Sequence, residues 1–449
     1  MPTTGNATRT DYNGFTQVHT NPKSQKRTDR RDVLGRVQRT TDDANKNTDF
    51  SYDVFGNLTK TIDPNTNEIK VEYDILGRKK KLTDPNLGLI EYFMDARGLV
   101  WRQQSPIQRA AVPAQFSRTE YDLLGRMIGR YEPDLESHWV YDTATTGKGQ
   151  LAEAYTGTPT NKDYRRIHSY DSLGRPSLTT QYLSDGAYTH ATEYDVWGRA
   201  ITETYQRGND EPKIFQARYN AYGYLAQWQR AATTAPTAIP AIVLWRLTEQ
   251  SAAQQPVVSR FGNNLTEIRD YDTRANRLRQ LIVRNVALTN LVNDSYSFDA
   301  IGNVMTRSVF WDTGSFAETF TYDNLNRIKT SQVTGQALQS FEYDAAGNMT
   351  RKTGVGGGTA NTMVYPTQGA TAIRPHAITS VTGGTFGTGT YTYDANGNLA
   401  TAPNGRTATW TSFDMPLTLT KGSNTATFTY GPEHQRTKQV RSGNITVTY

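Results

Sequence analysis

The chain has 449 residues, a formal net charge of +6 and no cysteine, which excludes disulfides, thiolate metal sites and a cysteine nucleophile. Only 36% of the residues are hydrophobic and the mean hydropathy is -0.67, while Gly, Thr and Tyr are plentiful, so the composition predicts an all-β chain with many turns and little deep core. The sequence contains no apolar run of the roughly 18 residues that a membrane-spanning helix needs, and we expect no membrane span in this segment.

A short unit recurs from near the start of the chain. Asp32, Asp53, Asp74 and Asp95 follow one another at a constant spacing of 21 residues. A fixed period of this length is typical of repeat architectures, in which each period is one supersecondary unit. Looser copies continue at Asp122, Asp171, Asp195, Asn220, Asp272, Asp299, Asp323, Asp344 and Asp394.

The unit reads Tyr-Asp-x-x-Gly followed by Arg or Asn, as in YDVFGN, YDILGR and YDANGN. The Asp side chain can accept a backbone N–H two residues on, and Gly can take a positive φ, so the motif predicts a type I turn with a bulge that closes a hairpin. The residues after Gly alternate as a half-exposed strand does. We predict these structural repeat turns: Tyr52, Asp53, Gly56, Tyr73, Asp74, Gly77, Tyr121, Asp122, Gly125, Tyr170, Asp171, Gly174, Tyr194, Asp195, Gly198, Asp299, Gly302, Tyr343, Asp344, Gly347, Tyr393, Asp394 and Gly397.

A second turn follows each unit, at TIDPN, LTDPN and YEPDL, so one repeat contains two strands and two turns. The whole chain then holds on the order of 30 strands, whereas a twisted open sheet tolerates about 10 before it curls or splits. We therefore predict a long antiparallel meander of hairpins that curls into a single-layer spiral sheet, part of a hollow β-shell. Tyr rings are expected to stack on one another and on Arg between hairpins. The alternative is several separate β-sandwiches joined by linkers.

Interruptions of the repeat divide the chain. An Ala, Pro and Thr-rich stretch precedes a short apolar run around Leu244 and Trp245, which we interpret as an insertion flanking one buried strand, and two Gly-rich runs are interpreted as loops. The predicted segments are a first repeat block at 1–229, the insertion at 230–260, a second repeat block at 261–350, Gly/Thr-rich loops at 351–390 and the last repeats at 391–449.

No pattern of titratable residues predicts an active site. The segment 63–74 resembles a calcium loop, but Glu68 stands at the required Gly and Lys70 at the apolar position, so it is interpreted as a turn. The basic residues near Lys23 alternate with acidic ones, which favours a solvated face over a nucleic-acid site. We expect no enzyme activity, no cofactor and no metal. The histidines, which lack zinc-binding spacing, are His19, His138, His168, His190, His376 and His434.

The units YDVFGNLTKTID, YDILGRKKKLTDP, YDVWGRAITETY and YDANGNLA resemble the YD repeats of the Rhs family, which includes bacterial Rhs polymorphic toxins, the B and C components of insecticidal toxin complexes, and teneurins. The resemblance covers nearly the whole chain. It implies a hollow β-sheet cocoon that encloses and sequesters a C-terminal effector. The implied partners are the remainder of the Rhs shell and the enclosed toxin polypeptide. The implied location is secreted or at the cell surface, reached by a signal or secretion system that this segment does not encode.

The sequence departs from the family at its self-cleavage motif, DPxGL. DPNLGL at 84–89 has one residue too many and lies in an ordinary repeat turn, so the aspartyl protease role is not carried onto Asp84. We expect a segment truncated before the Rhs-associated core. The function predicted is a non-catalytic structural wall. The alternative is an extracellular carbohydrate-binding or adhesion module, since Tyr, Trp and Asn on a repetitive sheet could hold glycans.

Overall fold

The computed structural model describes residues 7–232, 240–311, 314–353, 358–384, 387–443 and 445–448. These residues form forty strands and one short helix. The helix, α1, is Pro106–Ala110. The strands β1 to β40 are, in order, Arg9–Asn13, Thr16–Thr20, Lys26–Arg31, Val37–Thr41, Asn47–Tyr52, Leu58–Ile62, Glu68–Tyr73, Lys79–Asp84, Gly88–Met94, Val100–Gln104, Ser117–Tyr121, Met127–Tyr131, Glu136–Tyr141, Leu151–Thr158, Asn161–Tyr170, Pro176–Leu183, Gly186–Tyr194, Ala200–Arg207, Lys213–Tyr219, Leu225–Arg230, Ile242–Gln250, Pro256–Phe261, Thr266–Tyr271, Leu278–Arg284, Asn290–Phe298, Val304–Trp311, Gly314–Tyr322, Ile328–Val333, Gln339–Tyr343, Met349–Lys352, Asn361–Val364, Ser380–Thr382, Gly389–Thr390, Thr392–Tyr393, Leu399–Ala402, Arg406–Trp410, Pro416–Lys421, Asn424–Tyr430, Arg436–Arg441 and Ile445–Thr448.

Within each of two sheets, every strand pairs antiparallel with the next one along the chain. Strands β1 to β33 form one 33-stranded sheet and β34 to β40 form a 7-stranded sheet, with registers such as Asp49↔Ile62 between β5 and β6. The predicted all-β antiparallel meander is confirmed, and the alternative of separate β-sandwiches is wrong. A meander of this kind places successive turns at opposite ends of the strands.

The turns at one end are those of the Tyr-Asp-x-x-Gly motif, and we call them the motif turns. In the turn at Asp53, the Gly56 N–H donates to the Asp53 carbonyl at 3.2 Å, and the Asp53 N–H donates to the Asn57 carbonyl at 3.0 Å. Gly56 has a φ of +93°, and the register shifts between Ser51 and Tyr52. These observations describe a four-residue turn with an adjacent bulge, whereas the type I assignment stays a prediction. The turns at the other end of the strands are called the return turns.

The helix α1 occupies one return turn and was not predicted. Ser105 caps it: the Ser105 side chain accepts the Gln108 N–H, and the Ser105 N–H donates to the Gln108 side chain at 2.9 Å. Pro106 follows at the first helical position. The Ser-x-x-Gln capping box is the sequence signal that could have predicted this helix. In the described part of the chain, no helix has the length and apolar character needed to cross a bilayer.

The insertion at 230–260 contributes strand β21 to the main sheet. β21 pairs with β20 on one side and β22 on the other. Its residues alternate between exposed and half-buried, so the prediction of a buried strand here is wrong, because a single-layer sheet has no second layer to cover it. Within the predicted loops at 351–390 the structure has the short strands β31 to β33, while part of each Gly-rich run, 354–357 and 385–386, lies outside the described residues.

The buried apolar core is small and local. Most of its members lie on β13 to β15, which contact the turn at 431–435, and on β38, which leads into that turn. The buried hydrophobic residues described are Trp139, Ala152, Ala154, Tyr155, Tyr164, Ala217, Val381, Phe428 and Tyr430.

Candidate functional site: the repeat clamp and the seam

The Asp carboxylate closes each motif turn. In the turn at Asp53, Oδ1 accepts the backbone N–H groups of Phe55 and Asn57 at 3.0 and 2.9 Å, and Oδ2 accepts the Asn57 side-chain amide at 2.9 Å. The hydrogen bond from the Asn57 side chain, together with those from the backbone, lowers the pKa of Asp53 below its ordinary value. The recurring carboxylate is therefore committed to the turn.

Where Arg replaces Asn at the end of the motif, it forms an ion pair with the same carboxylate. Arg175 Nε lies 2.7 Å from Asp171 Oδ2, and this hydrogen bond, with those from the backbone, lowers the pKa of Asp171. The same pairing occurs in Asp32–Arg36, Asp74–Arg78, Asp122–Arg126, Asp195–Arg199 and Asp323–Arg327.

The motif Tyr ties each repeat to the one before it. The Tyr52 hydroxyl donates to the carbonyl of Val37, the residue that follows the preceding motif, at 2.9 Å. Arg36 lies over the Tyr52 ring at 4.8 Å and donates to the Asp53 carbonyl at 3.2 Å. We call this set of contacts the repeat clamp. The same hydroxyl-to-carbonyl bond joins Tyr73 to Leu58, Tyr121 to Val100, Tyr170 to Leu151, Tyr194 to Pro176 and Tyr393 to Ile378.

The repeat clamp differs from the predicted ring stacking. The Tyr ring packs under the Arg of the preceding repeat, as Tyr343 does under Arg327 at 4.7 Å, and the ring pairs found among the described residues include no pair of tyrosines. Successive motif tyrosines are two strands apart, which places an Arg from the intervening turn between them. The motif glycines have φ between +74° and +103°: Gly56, Gly77, Gly125, Gly174, Gly198, Gly302, Gly347 and Gly397.

Return turns in the first part of the chain contact motif turns in its last part. Lys23 Nζ lies 2.9 Å from Asp299 Oδ2, and the Asn326 side chain donates to Gln25 Oε1 at 3.0 Å. Burial alone would raise the pKa of Asp299, but the hydrogen bonds from Lys23 and Asn303 lower it to about 2. We call the whole contact between residues 23–166 and residues 299–435 the seam.

The middle of the seam is built from amides. Asn67 is 3% exposed; its side chain donates to Gln368 Oε1 at 2.9 Å and accepts the Gly369 N–H at 3.0 Å. Next to it, the Asn65 side chain donates to Asp344 Oδ2 at 2.8 Å. The buried amide of Asn67 and the half-buried amide of Asn65 therefore have partners on the opposite side of the seam.

Main-chain groups also meet across the seam. The Arg374 N–H donates to the Pro85 carbonyl at 2.7 Å. At α1, the Ile107 N–H donates to the Asn396 side chain at 2.9 Å, and Asn396 is 4% exposed. The helix that replaces an ordinary return turn thus presents an N–H group to the motif turn at Asp394.

The motif turn at residues 431–435 contacts strands and a return turn of the first part of the chain. Trp139 is buried, and its indole N–H donates to Glu433 Oε1 at 3.1 Å. His434 lies 2.8 Å from the nearly buried Glu132. His434 occupies the position of the motif Gly with a φ of +59°. The replacement of the motif Gly by His is the sequence signal that could have predicted a contact between this turn and another part of the chain.

The seam shows that the sheet curls until it overlaps itself. The sheet is not closed into a barrel, because the contacts across the seam join the ends of strands rather than their edges. Sequence reasoning predicted the curling but did not predict which turns meet. Among the residues that the structure describes, no group of His, Asp and Glu side chains is arranged to hold a metal ion.

The comparisons with known proteins agree with this architecture. The sequence model described as RHS Repeat matches residues 31–68, and no curated protein sequence matches the chain. The Photorhabdus luminescens Tc holotoxin pore, carrying a TccC3 mutation, has a TM-score of 0.80 at 16% identity, covering 98% of this chain and 25% of that one.

Two crystal structures give a similar result. TcdB2-TccC3-Cdc42 has a TM-score of 0.79 at 16% identity, covering 98% of this chain and 26% of that one. TcdB2-TccC3 without its hypervariable C-terminal region has a TM-score of 0.78 at 16% identity, covering 98% and 25%. The chain thus spans about a quarter of the length of the solved chains it matches. Residues 31–68 thus match an RHS repeat, and the fold of the chain is that of the corresponding part of these toxin chains.

Proposed function

We propose that this chain is part of the non-catalytic wall of an Rhs-type toxin shell that is exported from the cell and that encloses and sequesters an effector polypeptide. The observation that carries the proposal is the seam. A single-layer sheet whose return turns meet its own later motif turns surrounds a space, and a wall around a space can separate a polypeptide from its surroundings.

The repeat clamp supports a mechanical role. The motif carboxylates are occupied in closing turns, and the motif Arg residues are occupied by ion pairs and by Tyr rings. A single layer has little apolar core, so these contacts between hairpins supply the stiffness that packing supplies in an ordinary domain. The polar groups that recur along the chain thus hold structure together and are not left free for chemistry.

The solved chains of similar fold support the proposed partners. They are about four times as long as this chain, and they come from structures whose names contain Tc holotoxin and TcdB2-TccC3. We therefore propose that further YD-repeat sheet completes the enclosure and that the effector lies inside it.

Glycan binding, the alternative function, has less support. Sugar rings stack on open aromatic faces. In the longest aromatic row, the His190 and Tyr205 rings stack on each other at 4.4 Å and 7°, and Phe215 and Trp228 lie parallel at 6.2 Å. The faces by which His190 and Tyr205 meet are therefore not open to a sugar ring.

Small-angle scattering tests the wall. A compact globule of 449 residues has a radius of gyration of about 22 Å. A curved wall gives a larger value and a pair-distance distribution with a long shoulder. A radius near that of the compact globule would contradict the proposal.

Enclosure is tested separately, by sequencing the DNA that flanks the coding region. Further YD repeats followed by a small unrelated domain are expected.

A further inference from the structure

The 7-stranded sheet has a depression on one face. It lies over strands β35 to β39 and has a volume of about 490 Å³, which is within the range of ligand pockets in proteins. Residues that pair directly on neighbouring strands point to the same face of a sheet. Two such rows line the depression: Ala402, Arg406 and Lys421 form one, and Ala408, Leu419 and Ala426 form the other. We call the residues of these two rows the basic cradle.

Small side chains form the floor of the basic cradle. The side chains of Ala402, Ala408 and Ala426 end at Cβ, so they leave open the space that larger residues would fill. Leu419 stands between Ala408 and Ala426 and is 42% exposed. A ligand with an apolar group would remove this surface from water.

Two cations face each other in the other row. Arg406 begins β36 and Lys421 ends β37, and the two residues are direct cross-strand partners. Like charges in such positions repel each other. An anion bound beside both side chains would relieve this repulsion.

The acids of this sheet are occupied at the other end of the strands. They are Asp394, Asp414 and Glu433, all of which lie in motif turns. Each accepts hydrogen bonds within or between motif turns or across the seam. Among the described residues, no carboxylate forms an ion pair with Arg406 or Lys421.

This arrangement differs from that of the main sheet, where strand cations face acids on the adjacent strand. Arg39 Nε lies 2.6 Å from Asp49 Oδ1, and Arg351 Nη1 lies 3.1 Å from Glu342 Oε1. Strands β35 to β39 contain cations but neither Asp nor Glu. The basic cradle therefore complements a ligand that brings its own negative charge.

The two rows are spaced like the side chains of an extended polypeptide. Arg406 and Ala408 are two residues apart on β36, which is about 7 Å along a strand. Residues two apart in an extended segment are separated by the same distance and point to the same side. A segment lying along the strands thus places a carboxylate over the cations and, two residues on, an apolar side chain over the floor.

We propose that the basic cradle binds an extended polypeptide segment in which an acidic residue is followed, two positions on, by an apolar residue. The carboxylate pairs with Arg406 and Lys421, and the apolar side chain covers Leu419 and its alanine neighbours. The proposal rests on the proposed function for the source of the segment, which is the enclosed effector polypeptide. The basic cradle then lies on the inner face of the wall.

Fluorescence anisotropy of labelled peptides tests the proposal on the full chain. The probe is an N-acetylated, C-terminally labelled peptide with glutamate at its first position, leucine at its third and fifth, and serine between them. It is expected to bind with a dissociation constant on the order of 10 μM. A peptide with lysine in place of glutamate, and one with serine in place of both leucines, are expected to bind at least about tenfold more weakly.

A charge-swap variant gives a second measurement. Lys421→Glu is expected to weaken binding of the glutamate peptide about tenfold and to strengthen binding of the lysine peptide by a similar factor. The matched control is Lys438→Glu. Lys438 is three residues from Arg441, which pairs with Ala426, so Lys438 points to the opposite face of the sheet. This control changes the net charge equally and should bind both peptides as wild type does, and circular dichroism should show that both variants fold.

The proposal is overturned if the glutamate and lysine peptides bind wild type equally. Absence of binding of the glutamate peptide at about 100 μM chain, ten times the expected dissociation constant, would overturn it as well. An equal loss of binding in Lys438→Glu would show attraction by net charge alone. Displacement of the peptide by decanoate at about 1 μM would assign the basic cradle to a fatty acid. Either of these last two results also contradicts a polypeptide site.

Failure of this site and failure of the wall give different results. Peptide binding together with the scattering radius of a compact globule would contradict the wall and not the basic cradle. A curved wall that binds no peptide would contradict the basic cradle alone.

Discussion

Gly397 lies directly against the main-chain oxygen of Asn86, so close that a Cβ at residue 397 would clash with that oxygen. The two residues belong to opposite sides of the seam. The motif Gly at this position therefore serves two purposes: its φ of +89° closes the turn, and its missing side chain lets two rows of turns touch. The seam thus depends on backbone contact as well as on polar side chains.

Gly397→Ala is expected to destabilise the chain more than Gly347→Ala. Both glycines are motif residues with positive φ, +89° and +98°, so each substitution costs about 1–2 kcal/mol in backbone strain. A Cβ at Gly347 has nothing within 4 Å, whereas one at Gly397 meets the Asn86 carbonyl. The urea midpoint of Gly397→Ala should therefore be lower than that of Gly347→Ala. Equal midpoints would show that the seam is not tightly packed here.

The Lys23–Asp299 ion pair is expected to make the seam acid-sensitive. The pKa of Asp299 is about 2 in the folded chain, compared with an ordinary value of 3.8. The unfolded chain binds the proton more readily, so the stabilisation is complete above about pH 4 and is lost as the pH falls towards 2. Thermal unfolding midpoints measured between about pH 4 and pH 2 should fall less steeply with decreasing pH in Lys23→Gln than in wild type. Lys26→Gln, at an exposed position on β3, is the control and should follow wild type.

The repeat clamp is expected to couple neighbouring repeats energetically. In a double-mutant cycle, Arg36→Ala and Tyr52→Leu should show a coupling of about 0.5–1 kcal/mol, because Arg36 lies 4.8 Å over the Tyr52 ring. Arg36→Ala with Tyr73→Leu is the matched pair from the next repeat, and these two effects should add. Additivity in both pairs would mean that the Arg–Tyr contact does not bind hairpins together.

Asn67→Asp is expected to weaken the seam. The amide N–H group of Asn67 donates to Asp63 and to Gln368. A carboxylate in its place would lose both bonds and face the Asp63 carboxylate in a nearly dry site. Asn57→Asp is the control: Asn57 donates to Asp53 in the same way, but it lies outside the seam. Hydrogen exchange should rise at residues 368 and 369 in the first variant and not in the second.

The regular part of the fold could be predicted from the sequence because it is local. The Asp53 to Asn57 turn needs only its own residues, and each strand pairs with its neighbour in the chain, so a single repeat contains the information for the whole meander. The resemblance to YD repeats rests on the same repetition.

The seam could not be predicted in the same way. Whether Asn67 meets Gln368 depends on the number of strands in one circuit and on the accumulated twist, which no single repeat specifies. Small errors in the predicted twist of each strand add up over a circuit of this length. The helix at Pro106 carried a readable signal, a capping box, but its role became apparent only from the contact it makes with Asn396.

The end-to-end contact of distant turns restricts how such a protein can change in length. Removing one hairpin from the stretch between residues 67 and 344 would leave the remaining repeat clamps intact. It would, however, shift each later turn by one position around the circumference. Every turn in the seam would then face a different partner. The number of hairpins within one circuit is therefore expected to be held constant during evolution, while individual copies erode freely and whole circuits are gained or lost together.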